Sequence, residues 1–225
     1  MACHPSAERV PGSPVLDMES MELSFEQARV LGALIEKQMT TPDYYPMTVN
    51  ALVAACNQKN NREPVTSFDE SDVERILTEL TDLGLTRFTR ASGSRTLKYV
   101  HKAPDVLEVD EEQVAILAIM LLRGPQTIAE LKTRTERYID FADAAHVEER
   151  VRDLMTRDDP LVVESERMPG RRETRYETVL VDHPLSAPSA SLDPRPAAPS
   201  RSELEERVAT LERTVARIVD ELGME

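Results

Sequence analysis

The chain of 225 residues contains no tryptophan, and aromatic residues make up only 4% of it. A core must therefore come from aliphatic residues and methionine, as in small helical domains. The two cysteines, Cys3 and Cys56, form no Cys-x-x-Cys pair or spaced set with histidine, so neither a disulfide framework nor a zinc site is indicated. The longest apolar run, 114–122, is too short to cross a bilayer, and residues 1–17 lack a signal-peptide layout. We expect a cytoplasmic protein with reduced thiols.

Negative charge dominates the composition. The chain has 41 acidic residues against 27 lysines and arginines, which gives a net charge of −14 and a pI near 4.8. Residues 21–104 contain 10 basic and 11 acidic residues, whereas residues 105–183 contain 11 and 19, so the two net charges are −1 and −8. The second segment repels a polyanion at long range, while the first is nearly neutral.

The same order of predicted elements occurs twice along the chain. The first copy has helices at Ser24–Met39, Thr48–Cys56 and Ser71–Gly84 and strands at Thr86–Ala91 and Thr96–His101. The second copy has helices at Asp110–Leu122, Thr127–Arg134 and Ala142–Arg157 and strands at Leu161–Glu166 and Arg175–Val181. Three helices followed by a β-hairpin is the element order of a winged helix. The predicted fold class is α+β, mainly α: two tandem winged-helix domains followed by a C-terminal coiled-coil helix.

Four helix starts fit the capping box, in which a hydroxyl accepts from the N3 amide and a Glu or Gln reaches back to the cap. They are Ser24–Gln27, Ser71–Glu74, Thr127–Glu130 and Ser202–Glu205. Each stands at the head of an apolar-periodic run, which supports the predicted helices.

The domain organisation follows from these elements. We predict a disordered tail at 1–20, winged-helix domains at 21–104 and 105–183, a linker at 184–200 with five prolines, and a coiled-coil helix at 201–225. The coiled-coil prediction rests on apolar residues at alternating spacings of four and three, with β-branched residues at a and leucine at d, which favours a parallel homodimer. The alternative is a single amphipathic helix that folds back on its own domain. The seam consists of Leu204, Val208, Leu211, Val215, Ile218 and Leu222.

No catalytic motif occurs in the sequence. A glycine-rich phosphate loop, His-Glu-x-x-His, Gly-x-Ser-x-Gly and a carboxylate pair in apolar surroundings are all missing from it. The four histidines are scattered, and Cys56 is interpreted as a small core residue. We therefore expect no catalytic residues, no cofactor, no metal and no small-molecule ligand.

The candidate interaction residues lie outside the predicted third helices. The faces of these helices opposite the core are acidic on balance, with Asp72, Arg75, Glu79 and Asp82 in the first copy and Glu148, Glu149, Arg152 and Thr156 in the second. The predicted hairpins are basic, and the loop after the second helix is rich in side-chain donors. As the alternative, these arginines only keep the hairpins soluble and the loop residues only form turns. The candidates are Asn57, Gln58, Lys59, Asn61, Arg62, Arg90, Arg95, Lys98, Arg171, Arg172 and Arg175.

Four segments closely resemble the YceH family of bacterial proteins: LIEKQMTTPDYYPMTVNALVAACNQKNNREPV, GSRTLKYVH, LLRGPQT and PLVVESERMPGRRETRY. The resemblance covers residues 22–181 and implies tandem winged helices in a cytoplasmic protein, but no activity, substrate or catalytic residue. The predicted function is a non-catalytic, DNA-associated regulator that contacts nucleic acid through its basic hairpins and polar loop. The alternative is an acidic protein–protein interaction scaffold that does not bind DNA.

Overall fold

The structure, a computed structural model, describes residues 21–90, 96–165 and 173–181. These residues form a mainly helical α+β protein with seven α-helices and two antiparallel hairpins. The first half contains α1 (Phe25–Thr40), a short 3-10 helix (Pro42–Tyr44), α2 (Val49–Cys56), α3 (Glu70–Asp82), β1 (Thr86–Thr89) and β2 (Lys98–His101). The second half contains α4 (Ala103–Leu107), α5 (Glu111–Arg123), α6 (Ile128–Thr135), α7 (Ala144–Thr156), β3 (Val162–Glu164) and β4 (Tyr176–Thr178).

The helix starts confirm two of the predicted capping boxes and correct a third. Ser24 and Thr127 cap α1 and α6, with Gln27 and Glu130 reaching back to the cap amides. The predicted box of Ser71 with Glu74 is wrong, because Asp69 caps α3 and Asp72 completes the box. The carboxylate of Asp69 accepts from the Asp72 amide at 2.9 Å, so the helix begins two residues earlier than predicted.

Each hairpin is joined to the residue that precedes a helix cap in its own half. Met47, just before the Thr48 cap of α2, exchanges two backbone hydrogen bonds with Tyr99 of β2, at 2.7 and 3.1 Å. Gln126, just before the Thr127 cap of α6, exchanges two with Tyr176 of β4, at 2.8 and 2.9 Å. The strands are shorter than predicted, but the two halves repeat the same connection.

A continuous apolar core joins the halves through α1 and α5. In α5, residues 114–122 are all buried, so this helix is apolar all round rather than amphipathic. Gly32 of α1 lies so close to α5 that a β-carbon built there would be 2.9 Å from Leu122 Cγ. The amide of Leu23 donates to the carbonyl of Leu180 at 2.7 Å, which ties the start of the first half to the end of the second. All the described residues belong to one compact unit.

Several predictions fall outside the described residues. These are the tail at 1–20, the two hairpin turns, the linker at 184–200 and the helix at 201–225 with its seam of Leu204, Val208, Leu211, Val215, Ile218 and Leu222. They stay predictions. Among the described helices, none is long and apolar enough to cross a membrane.

Candidate interaction surfaces

The polar loop after α2 is held by its own side chains. The Asn57 side chain donates to the carbonyl of Phe68 at 2.7 Å and accepts from its amide at 2.9 Å, so Asn57 closes the loop. Gln58 and Asn61 are half-buried, and Asn61 has a φ of 60°, in the left-handed region that asparagine tolerates. Lys59 is exposed. Of the cations in this loop, Lys59 is therefore the one that can reach a partner.

Arg62 lies inside the protein. Its guanidinium forms an ion pair with Glu36 of α1 at 2.5 Å and donates to the carbonyl of Ala55 at 2.8 and 3.1 Å. Both side chains are about 1% exposed or less. A buried ion pair with further hydrogen bonds is a structural device, since either charge alone would be costly to bury. In this position Arg62 fixes the loop against α1.

Glu36 extends this network into the second half, where Arg137 approaches it at 3.1 Å. A second buried arginine, Arg29, donates to the carbonyls of Glu63 and Pro64 at 3.2 and 2.7 Å. Burial, and then the neighbouring Arg62, lower the pKa of Arg29 to about 10. Sequence reasoning missed Glu36, Arg29 and Arg137. Charged residues at core positions of a helical repeat, as Arg29 and Glu36 are in α1, could have signalled them.

The first hairpin presents exposed cations. Arg87, Arg90 and Lys98 are exposed, and Phe88 between them is 59% exposed. Arg87 and Lys98 lie on one face of the hairpin, because they pair in register with Val100 and Thr89. Arg95 lies outside the described residues.

The second hairpin offers fewer cations for contact with a partner. Arg175 binds Glu130 of α6 at 2.9 Å and donates to the carbonyl of Pro125 at 2.7 Å. These contacts brace the hairpin against α6 and occupy its guanidinium. Arg171 and Arg172 lie outside the described residues.

A surface groove of about 350 Å³ lies between the first hairpin and the amino-terminal parts of α2 and α3. Its apolar lining comes from Val49, Leu97 and Tyr99, and its charge comes from Glu70 and Glu74, which are both exposed. We call this the first groove. Its remaining lining residues are Thr48, Asn50 and Thr96.

The residues exposed on the outer face of α3 are shifted by about one position from those predicted from the sequence. Glu79 is half-buried, because it accepts from the Gln27 side chain at 2.9 Å and pairs with Arg75 at 2.8 Å. Arg75 also binds Glu26 at 2.7 Å, so the one arginine of α3 is occupied by carboxylates. The residues of α3 that line the first groove are Glu70 and Glu74.

In each half, a glutamate of a 13-residue helix acts on the pKa of the hairpin tyrosine. Glu74 and Glu148 are each the fifth residue of a 13-residue helix, α3 or α7. Burial, and then the charge of Glu74, raise the pKa of Tyr99. Burial is the largest cause that raises the pKa of Tyr176. The charges of Glu164 and Glu148 also raise it, and the charge of Arg152 lowers it. Each hairpin thus holds a tyrosine near a glutamate of the third helix of its half.

The fold and these surfaces define a mainly helical α+β protein whose two halves repeat one element order, with an acidic third helix and a tyrosine-bearing hairpin in each. The chain belongs to the family described as "Protein of unknown function, DUF480", whose model matches residues 23–171. A UPF0502 protein of Geobacter metallireducens is 46% identical over 190 residues, which cover 84% of this chain and 86% of that relative. A UPF0502 protein of Shewanella sp. strain ANA-3 is 40% identical over 210 residues, 90% of this chain and 96% of the relative.

Proposed function

We propose that the protein is a non-catalytic binding protein with two tandem winged-helix domains, which recognises a basic segment of a partner protein. The winged-helix assignment is supported by three helices of eight or more residues followed by a hairpin in each half, which are α1 to α3 and, after the short α4, α5 to α7. In each half the hairpin is bridged to the residue before the cap of the second of these helices. In a DNA-binding protein of the helix-turn-helix class, the recognition helix enters the major groove.

The observation that carries the proposal is the first groove, where the exposed Glu70 and Glu74 lie beside Val49, Leu97 and Tyr99. In the second half, Glu148 raises the pKa of Tyr176 in the same sense, although it is also paired with Arg152 at 3.0 Å. A carboxylate there would repel phosphates if the helix lay against DNA. The same carboxylate beside an aromatic ring suits a lysine or arginine, which combines an apolar stem with a charged head. The first groove provides both parts, with Val49 and Leu97 for the stem and Glu70 for the charge.

The proposal is tested with a labelled peptide of alternating lysine and leucine, a glutamate–leucine peptide of equal length, and a random DNA duplex. Fluorescence anisotropy on the full chain is expected to show binding of the lysine peptide alone at physiological salt. Glu74→Gln and Glu148→Gln together should weaken it several-fold. The matched controls, Asp82→Asn and Glu149→Gln, remove equal charge from exposed positions on the same helices and should change little. Equal losses in both pairs, or no peptide binding at low salt, would refute the proposal.

A DNA-associated regulator is the second candidate, favoured by the exposed cations Arg87, Arg90 and Lys98 of the first hairpin. If these cations neutralise phosphates, duplex binding should be steeply salt-dependent. Each phosphate contact contributes a slope of about −0.9 in log K against log salt. Replacing all three with alanine should flatten the slope by up to about 3 units. Glu74→Gln should then strengthen binding, the opposite of its effect on the lysine peptide.

A further inference from the structure

Arg123, at the end of α5, is a half-buried arginine without a partner among the described residues. Three arginines there have a buried Nε atom that makes no hydrogen bond. Arg29 nevertheless donates to backbone carbonyls through its terminal nitrogens, and Arg150 pairs with Asp110, Glu112 and Asp153. Arg123 makes neither a hydrogen bond nor an ion pair to any described side chain. The buried Nε of Arg123 therefore lacks the acceptor that normally offsets the desolvation of a donor.

Arg123 does not cap its own helix. Two of the last carbonyls of α5 accept from backbone amides: Met120 accepts from the Gly124 amide at 2.8 Å and Leu122 from the Glu63 amide at 3.0 Å. The carbonyl of Arg123 itself accepts from the Gln126 side chain at 3.4 Å. Helix capping therefore does not account for this side chain.

Two further arginines, Arg134 and Arg137, act electrostatically on Arg123, and the carboxylates they approach, Glu130 and Glu36, are shared with other arginines. Arg137 is held by Glu36 at 3.1 Å and by the ring and hydroxyl of Tyr138. Arg134 reaches Glu130 at 3.4 Å, but Glu130 lies closer to Arg175, at 2.9 Å. We call Arg123, Arg134 and Arg137 the arginine cluster.

The electrostatics of Arg123 reflect this crowding. Burial, and then Arg134, lower its pKa. Glu63 opposes them and Arg137 adds to them. Glu63 is exposed, and it forms no ion pair with Arg123 among the described residues. The cluster thus has an excess of positive charge that the described part of the protein does not neutralise.

We propose that the arginine cluster binds a small phosphate-type oxyanion at the junction of the two halves. A guanidinium offers a planar fork of donors that matches two phosphate oxygens, and a multiply charged anion suits several guanidiniums better than a single carboxylate does. Arg123 provides the free fork, while Arg134 and Arg137 provide flanking charge. The bound anion would link α5 and α6 to α1, through Arg137 and Glu36. This site is independent of the first groove and of the proposed function.

Isothermal titration calorimetry on the full chain tests the proposal, with inorganic phosphate, pyrophosphate and O-phosphoserine as probes and ionic strength held constant with potassium chloride. Saturable one-to-one binding is expected for at least one probe. Pyrophosphate binding most tightly would identify a free diphosphate-type ligand, and O-phosphoserine binding most tightly would identify a phosphate monoester. Arg123→Gln should raise Kd about tenfold or more, since it removes charged hydrogen bonds.

Two further variants make the result decisive. Arg134→Gln, at a half-buried position, should raise Kd by a smaller factor and provides a test of the cluster if Arg123→Gln fails to fold by circular dichroism. Arg152→Gln removes an exposed arginine that is paired with Glu148 at 3.0 Å and should leave Kd unchanged. Absence of binding by all three probes at millimolar concentration would overturn the proposal. So would affinities that Arg123→Gln and Arg134→Gln leave at the wild-type value.

Discussion

His101 ends the first hairpin with both ring nitrogens buried and without hydrogen-bond partners among the described residues. The residue is 8% exposed, its ring meets that of Tyr45 edge-on, and its amide donates to the Tyr45 hydroxyl at 2.7 Å. Burial lowers the pKa of His101 to about 4, while Asp105 raises it slightly and Lys102 opposes Asp105. The native state therefore holds this histidine neutral.

This environment predicts a pH-dependent stability. Because the pKa is lower in the folded chain than the ordinary histidine value of 6.5, the unfolded chain binds the proton more tightly. The contribution of His101 is intact above about pH 7 and is lost as the pH falls from about 6.5 toward 4. At pH 5 it should cost about 2 kcal/mol of unfolding free energy relative to pH 8.

Urea denaturation at pH 5 and pH 8 checks this prediction, with His101→Phe as the comparison. The variant keeps a ring against Tyr45 but cannot be protonated, so its loss of stability between the two pH values should be smaller by about 2 kcal/mol. The other ionisable groups are present in both proteins, so their contributions to the pH dependence cancel when the two proteins are compared. An equal pH dependence in the two proteins would show that His101 is protonated without cost.

The candidate loop shows what residue types alone can predict. Asparagines and cations between two helices correctly predicted a polar, turn-rich loop, and Lys59 is exposed there. The same reasoning placed Arg62 with the surface donors, although it is buried against Glu36. The two residues lie 26 positions apart, and only the packing of the loop on α1 brings them together. When the burial of a residue depends on packing against a distant segment, the residue types around it in the sequence do not reveal it.

Among the elements, local signals predicted the helices well. The caps at Ser24, Thr48 and Thr127 follow from side-chain chemistry within three residues of each helix start. At α3 two overlapping signals competed, and the structure selects Asp69 over Ser71 because the Asp72 carboxylate completes the box. The five-residue helix α4 was missed, since it is too short to show an apolar period.

Gly32 sets the distance between α1 and α5. A β-carbon there would lie 2.9 Å from Leu122 Cγ and 3.1 Å from Leu121 Cβ, and both leucines are buried. Alanine in place of a helical glycine ordinarily gains about 1 kcal/mol. Overpacking a tight core costs about 1–3 kcal/mol, and Leu121 Cβ cannot move without its helix. The two effects oppose each other, and the close contact should decide the outcome.

Gly32→Ala should therefore lower the free energy of unfolding by up to about 2 kcal/mol despite the better helix former. Chemical denaturation should show a lower midpoint with an unchanged m-value. Gln38→Ala is the matched control, because Gln38 is an exposed residue of the same helix and its replacement should change stability by about 0.5 kcal/mol or less. A more stable Gly32→Ala protein would mean that α1 and α5 separate at little cost.

At the scale of the whole molecule, the halves depend on each other. Residues 114–122 of α5 are buried on every side, because α1 covers part of the surface that the second half alone would expose. The Glu36–Arg137 ion pair and the Leu23–Leu180 hydrogen bond cross the same junction. The repeat in sequence predicted that helices followed by a hairpin occur twice, as they do, but it contained no signal for how the two halves pack. The predicted boundary at 104/105 falls inside α4, which leads directly into α5.

Assembly is the remaining question at this scale, and the heptad seam of residues 201–225 makes a definite prediction about it. We expect the full chain to be a parallel dimer and a chain ending at His183 to be a monomer, because the seam has the a and d residues of a two-stranded coil. Multi-angle light scattering measures both masses. Leu211→Pro in the full chain should also give a monomer, since proline in a helix interior costs about 3 kcal/mol or more. If the two chains have the same oligomeric state, the seam does not join the subunits of a dimer. The helix predicted at 201–225 then packs on its own chain or stays unpaired.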